Sequence, residues 1–394
     1  MTERTLLLFA LASAVVTANA YYIHPIIALV ADYFEVSHAM IGMVPAFNQL
    51  ALAIGIFLLL PLGDRFSNRK LCLIFVFAQV GALVMMAMAQ GFALFVVGST
   101  LLGFFTIAPY ILPAYVSKRI PVNRLGHATA ILTAGIIFGV LVARAGAGIV
   151  GEFLGWRAVY VIAAGLMAIV SVLLLMIMEG PQAPRPDTPK QSYLSLILSI
   201  FPIIRQHPEI LLSGSLQGMS FGVFLSVWMG LGLHLTSPEM GYGVDVVGYL
   251  ALLTILNLAI TPVLGRWADR VGARKARFLL SILQFAGVCL LGFLGHSLWL
   301  LIIPILIMNM SGPAIDVAGR MTFLSEAPEI RTRLMTVFIV LMFTGAGIAS
   351  WAGTAAYDFG GWMGNAVLAL GFSLGVLILS FIGWRMRGAK DLRS

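Results

Sequence analysis

Charge and cysteine are the two things this sequence nearly lacks. Asp, Glu, Lys and Arg make up 10% of its 394 residues, where a soluble domain carries about 25%. A chain so poor in charge cannot coat itself with water, which excludes a soluble globule. The two cysteines, Cys72 and Cys289, stand far apart, with no Cys-x-x-Cys and no Cys/His spacing. That removes the case for a disulfide framework or a metal site, and both read as buried apolar residues. Apart from the stretch at 181–207, the polar connectors are short. No connector is long enough to house a hydrolase, kinase or redox constellation, so no enzymatic activity, no cofactor and no metal are expected. The formal charge of +8 would suit nucleic acid. The basic residues nearly all fall in short connectors, however, so they read as topology and no nucleic-acid partner is expected.

What the sequence does contain is apolar length. It is 60% hydrophobic, with a mean hydropathy of +1.00, and its apolar runs are each long enough to cross a hydrocarbon core of about 30 Å. The first half predicts six spans: Leu6 to Ala31, Ala39 to Leu62, Leu71 to Ala89, Phe92 to Val116, His127 to Val150 and Trp156 to Met178. Ala18-Asn19-Ala20 imitates a signal-peptide cleavage site. The apolar run continues past it through Ile23, Ile26, Ile27, Leu29 and Val30, so we read an uncleaved first span. The second half predicts six more: Glu209 to Leu235, Asp245 to Leu264, Ala276 to Leu294, Leu298 to Leu324, Leu334 to Ala356 and Trp362 to Trp384.

The expected fold is therefore an all-α membrane protein of twelve transmembrane helices, since lipid leaves backbone polar groups no partner outside their own helix. Residues 1–180 form an N-terminal six-helix bundle and 208–394 a C-terminal one. Between them, 181–207 is a cytoplasmic linker with Pro181, Pro184, Pro186 and Pro189, too polar to fold alone, followed by a short surface helix over Tyr193 to Ile204. Arg4, Arg65, Arg69, Lys70, Lys118, Arg119, Arg124 and the stretch Arg266 to Arg277 fall in connectors on one side. Asp32, Glu35, Glu152, Glu239 and Asp358 fall on the other, with Arg157 the basic exception. Both termini are accordingly expected in the cytoplasm.

One short basic turn occurs twice. Gly265-Arg266-Trp267-Ala268-Asp269-Arg270-Val271-Gly272-Ala273-Arg274-Lys275 lies between two apolar segments, and a degraded copy, Leu62-Gly63-Asp64-Arg65-Phe66-Ser67-Asn68-Arg69-Lys70, holds the matching place in the first half. Such duplication is a common mark of secondary transporters. With twelve spans, the chain resembles the major facilitator superfamily over nearly its whole length. The family's turn reads G-x-x-x-D-R-x-G-x-[RK]-[RK]. The second copy matches it fully, while the first has Leu60 and Ser67 in place of the glycines. The resemblance implies a conformational latch made of Asp64, Arg65, Arg69, Gly265, Asp269, Arg270, Gly272 and Arg274, with the Asp bridging to a neighbouring helix in the outward-facing state. The alternative is a purely topological cluster. Asn19-Ala20-Tyr21-Tyr22-Ile23-His24-Pro25 is similar to a motif of bacterial efflux carriers related to the twelve-span drug:proton antiporters, and Gly155-Trp156-Arg157 suits them too. Two features depart from those antiporters. Ser99 stands where they carry an Arg in the fourth span, and of their fifth-span glycine signature only Gly135 and Gly139 are kept, with Val140, Ala143 and Arg144 replacing its Pro and glycine pair.

Charges inside spans are the informative minority, because each is costly unless paired or hydrated. Arg144 either receives an anionic group in the central cavity or pairs with Glu152, with Asp245 or with backbone carbonyls. Asp316 lies four residues before Arg320, so it is either a proton-binding carboxylate or half of a fixed ion pair. His24 is the second candidate for proton coupling. Asn19, Tyr22, Asn48, Gln49, Tyr110, Gln217, Trp228, Asn257 and Asn309 join Arg144 as candidate substrate-binding residues, each equally able to bond helix to helix. The leading expectation is a secondary active transporter of the cell inner membrane, monomeric, exporting a small-molecule substrate by alternating access with protons as coupling ion. An uncoupled facilitator or importer is the alternative, and a non-transporting membrane sensor is a third.

Overall fold

The computed structural model describes residues 1–64, 66–121, 124–180, 193–323 and 328–388, and the described part is all-helical. The first half runs through α1 (Glu3–Ala18), α2 (Ile23–Phe34), α3 (His38–Ile41), α4 (Met43–Leu59), α5 (Asn68–Ala87), α6 (Phe92–Phe105), α7 (Ala108–Ser117), α8 (Leu125–Leu154) and α9 (Trp156–Ile177). Two short helices, α10 (Tyr193–Leu198) and α11 (Ile200–Gln206), belong to the linker, whose residues 181–192 lie outside the described residues. The second half runs through α12 (Glu209–Leu235), α13 (Val244–Ala251), α14 (Leu256–Val271), α15 (Ala273–Leu294), α16 (Leu298–Met321) and α17 (Pro328–Gly388). Among the described residues, ten helical runs are long and apolar enough to cross a membrane. The pair Val244–Ile255 and Ile260–Val271, bent by 43°, makes an eleventh when counted as one. The 61-residue α17 leaves helical geometry at Gly360 and Gly361.

The ends of this bundle differ. One, the terminal end, carries the start of α1, the end of α17 and the basic turns; the other is the distal end. The expected first span is present but broken, and the cause is local. Pro25 has no N–H, and its ring would meet the carbonyl of Tyr21 in a continuous helix. The chain instead makes short i→i+3 bonds, from Tyr21 N–H to Ala18 at 2.9 Å and from His24 N–H to Tyr21 at 3.2 Å, leading into the first turn of α2. This break sets Tyr21 and His24 against the other half.

The two basic turns also differ locally. Gly272, between α14 and α15, has φ 91°, a region that favours glycine. Ser67, its counterpart before α5, has φ −60° and ψ 125°, which any residue adopts. The first turn therefore does without its glycine. The linker is anchored rather than loose at its described end: the Tyr193 hydroxyl donates to the Leu58 carbonyl at 2.6 Å.

The halves meet along α4 and α17, and at the distal end where α2 meets α12 and α8 meets α13. Within the second half, α12 and α17 approach so closely that a Cβ on Gly345 would lie 2.6 Å from the Gly218 Cα. Gly345→Leu should therefore destabilise the protein by about 1–3 kcal/mol or more through overpacking, read as a lower melting temperature in detergent. Gly126→Ala, whose Cβ meets nothing within 4 Å, should be neutral or slightly stabilising in the same measurement. Equal effects from the two would refute this packing account.

Candidate functional site

The site grows from one side chain. Arg144 sits on α8 one turn before Gly148, and Gly148 lies against Val244 and Gly248 of α13. The arginine thus emerges in the seam between the halves and is 1% exposed. Its guanidinium carbon lies 4.6 Å from the ring centroids of Phe224 and Trp228 and 5.2 Å from that of Tyr21. Nε, Nη1 and Nη2 are all buried and find no hydrogen-bond partner among the described residues. Pairing with Glu152, one of the two readings of the sequence, does not occur. That carboxylate accepts the Val244 N–H at 2.9 Å instead.

Magnitudes decide what this means. Burying an ion costs several kcal/mol even after relaxation. A desolvated cation–π contact returns about 2 kcal/mol at best, and the three rings share one cation. The cage offsets part of the cost and leaves a hydrogen-bonding deficit on all three nitrogens. An anionic group with two acceptor oxygens would meet it.

His24 shares the seam. Its ring meets Tyr21 edge-on at 5.1 Å, and both its nitrogens are buried without a partner. On α12, Phe221, Phe224 and Trp228 fall on one face at spacings of three and four residues. Phe221 stacks on Phe224 at 5.7 Å and touches Phe343 of α17 at 5.9 Å; Phe343 in turn meets Tyr110 of α7 at 6.4 Å. An aromatic file therefore leads from the cage toward the terminal end, made of side chains from both halves.

The remaining sequence candidates separate by what they bond. Asn19 donates to Gln79 at 2.8 Å and Asn48 to the Ser99 carbonyl at 2.8 Å, so each uses its amide to join helices of its own half. Ser99, in the place of the antiporters' arginine, donates its hydroxyl to the Val44 carbonyl at 3.1 Å. Gln49 and Asn309 are buried with neither amide atom partnered, and the Gln217 Oε1 is likewise unpartnered. Tyr22 is 8% exposed and lies in the core. Asp316 accepts from the Arg320 Nε at 2.9 Å on its own helix, and the same guanidinium lies 5.3 Å from the Phe338 ring centroid.

In the basic turns, Arg69 donates to the Leu175 carbonyl at 3.1 Å. Arg274 pairs with Glu209 and donates to the Gly383 carbonyl at 3.2 Å. Gly265 and Gly272 hold the places the motif requires, while Asp269 and Arg270 are exposed and form no ion pair among the described residues. Arg65 lies outside the described residues, as do the side chains of Asp64 and Asn257. No group of three His, Cys, Asp or Glu residues able to hold a metal occurs among the described residues.

Sequence reasoning missed two sets of residues. Tyr21, Phe221, Phe224 and Phe343 complete the aromatic surroundings; the α12 stripe was readable as a face, but its target was not. The second set is a pair of carboxylates at the distal end. Glu152, ending α8, caps the start of α13. Asp358 of α17 accepts the N–H groups of His38 at 3.1 Å and Ala39 at 2.7 Å, capping α3, and meets the His38 ring Nδ1 at 2.8 Å. Each carboxylate crosses from one half to a helix start of the other, where the helix dipole favours negative charge.

The sequence model described as Major Facilitator Superfamily matches residues 9–350. The chain is 25% identical over 396 residues to the uncharacterized transporter YgaY of Escherichia coli O157:H7, covering 99% of this chain and 98% of that protein. It is 27% identical over 364 residues to the probable transporter SCO4007 of Streptomyces coelicolor, covering 92% of this chain and 83% of that one. Among solved structures it is similar to a bacterial homologue of the human lysosomal transporter Spinster, with TM-score 0.78, 14% identity and 98% of each chain covered. At that identity the likeness shows the fold.

The distal carboxylates yield a prediction. With Cys72 and Cys289 replaced by serine and a reporter cysteine at Ala46, Asp358→Ala should raise labelling by an impermeant maleimide about tenfold or more. It removes charge-assisted hydrogen bonds each worth about 1.5–3 kcal/mol. His38→Ala, which keeps both backbone bonds, should have a smaller effect. Unchanged labelling in Asp358→Ala would mean that this carboxylate does not hold the halves together.

Proposed function

The chain belongs to the Major Facilitator Superfamily, and on that premise we propose that it is a secondary carrier moving a small organic solute by alternating access. The observation that carries this reading is the buried, unpartnered Arg144 in the seam between the halves. Carrier sites lie near the midplane between repeats, and there a residue whose bonding is incomplete in the protein alone has a ligand to wait for. Gln49, Gln217 and Asn309 add unpartnered amides to the interior.

In this proposal the protein spans the cell inner membrane twelve times. The bent pair Val244–Ile255 and Ile260–Val271 counts as one span, and α17 supplies two, divided at Gly360–Gly361. Residues 1–180 and 208–394 are the two bundles, and the basic terminal end lies in the cytoplasm. The carrier works as a monomer. Its direction is export, driven by proton exchange, in keeping with the efflux-type motif around Tyr21-Tyr22. His24, both of whose ring nitrogens lack a partner among the described residues, is the first coupling group, and Asp316, with its Oδ1 unpartnered, the second.

The contacts described are those of a carrier closed at its distal, outer end. Asp269 stands free of ion pairs among the described residues, which suits a latch that engages when the outer end opens. An uncoupled carrier is the second reading, favoured by the Asp316–Arg320 pair, which already neutralises the intraspan carboxylate through Oδ2 at 2.9 Å, although its Oδ1 has no partner among the described residues.

Two measurements follow. In proteoliposomes, net efflux of a preloaded solute should be accelerated by an inward proton gradient and lose that acceleration when the gradient is collapsed. Efflux indifferent to the gradient would establish the uncoupled reading. Asp269→Asn should slow that efflux about tenfold, the effect of losing one charge-assisted bond of about 1.5 kcal/mol in one end state, with the melting temperature unchanged. Full activity in this variant would reduce the turn to a topological signal.

A further inference from the structure

The walls of the Arg144 cage come from both halves. Arg144, Tyr21 and His24 stand on α8, on the break before α2 and on α2; Phe224 and Trp228 stand on α12. From this arrangement we propose that the carried solute is an organic anion with a flat apolar body, its anionic group received by Arg144 and its body lying among Tyr21, Phe224 and Trp228. The proposal rests on the carrier reading above and adds the class of substrate.

Four features converge on that class. The sign of the charge follows from a buried guanidinium with no carboxylate bonded to it. A lipophilic cation would be repelled there, and a neutral polyol would leave the cation uncompensated. The shape of the charged group follows from the fork of a guanidinium, which takes two oxygens of a carboxylate, sulfonate or phosphonate side by side. The apolar body follows from the rings, whose faces favour flat, weakly hydrated groups. The unpartnered His24 nitrogens add hydrogen-bonding capacity beside Tyr21.

The split construction adds a mechanism. Phe224 and Trp228 reach the cage only while α12 lies against α2, where Gly232 abuts the His24 carbonyl. An anion that touches both walls binds the distally closed arrangement better than one in which the halves have parted there. It therefore shifts the carrier toward that state by its difference in affinity between the two.

The test uses the full-length protein in lipid nanodiscs, with benzoate, benzenesulfonate and phenylphosphonate as probes and benzyl alcohol and benzylammonium as matched neutral and cationic controls. Melting temperature should rise with the anions and not with the controls. Arg144→Gln should abolish the anion response while leaving the unliganded melting temperature unchanged or higher, because an unsatisfied buried charge has been removed. Arg144→Lys keeps the charge and loses the fork, so its apparent benzoate affinity should fall about tenfold or more. If Arg144→Gln does not yield folded protein, Trp228→Ala and Trp228→Phe take its place, with the first losing the benzoate response and the second keeping it.

The proposal is overturned if none of the anions raises the melting temperature, if benzyl alcohol does so equally, or if Arg144→Gln lowers stability and leaves the anion response intact. Counterflow of a neutral solute that Arg144→Gln does not touch would overturn the anion assignment and leave the carrier standing. Anion binding without counterflow of any bound anion would do the reverse.

Discussion

A positive charge that the protein buries and does not neutralise dominates this structure. In a bilayer-spanning bundle nearly every other interaction is a contact between apolar surfaces, individually weak and chemically interchangeable. The Arg144 guanidinium is neither. It has to be held away from lipid, so it stands where two bundles face each other, and it has to be partly compensated, so aromatic faces surround it. The break in the first span, set locally by Pro25, the aromatic stripe on α12 and the close approach of Gly148 to Gly248 together form the surroundings of that charge.

How much of this was legible in the sequence depends on the reach of the cause. The duplicated turn was legible because lipid forces Lys and Arg into connectors, a one-dimensional effect. Arg144 stood out for the same reason, as a charge in the middle of an apolar run. The amides were harder. Asn19 and Asn48 look like Gln49 and Asn309 in sequence, yet the first pair bonds across helices of its own half while the second is left unpartnered. What separates them is which neighbour lies within about 3 Å, and spacing along one helix does not encode that. Tyr21, Phe224 and Trp228 could not be grouped for a related reason: they meet only after spans one, five and seven converge. The difference between Ser67 and Gly272 shows a local cause at work, since one turn needs a positive φ and the other does not.

Arg157, the one basic residue on the acidic side of the connectors, has a local explanation as well. It donates to the Tyr33 hydroxyl at 2.9 Å and the Ala89 carbonyl at 2.8 Å and lies over the Trp156 ring. A residue that closes a helix end and stacks on an aromatic face is fixed by those bonds. The bias of charge across a membrane is a rule about free cations, and this one is not free.

The paired carboxylates at the distal end have one more consequence. Glu152, near the end of α8, and Asp358 of α17 seize the starts of α13 and α3, so the fastening is present twice. Two fasteners on different flanks of one seam prevent the halves from peeling apart at either edge, since releasing one leaves the other holding. Separation of the halves at that end therefore requires both carboxylates to let go.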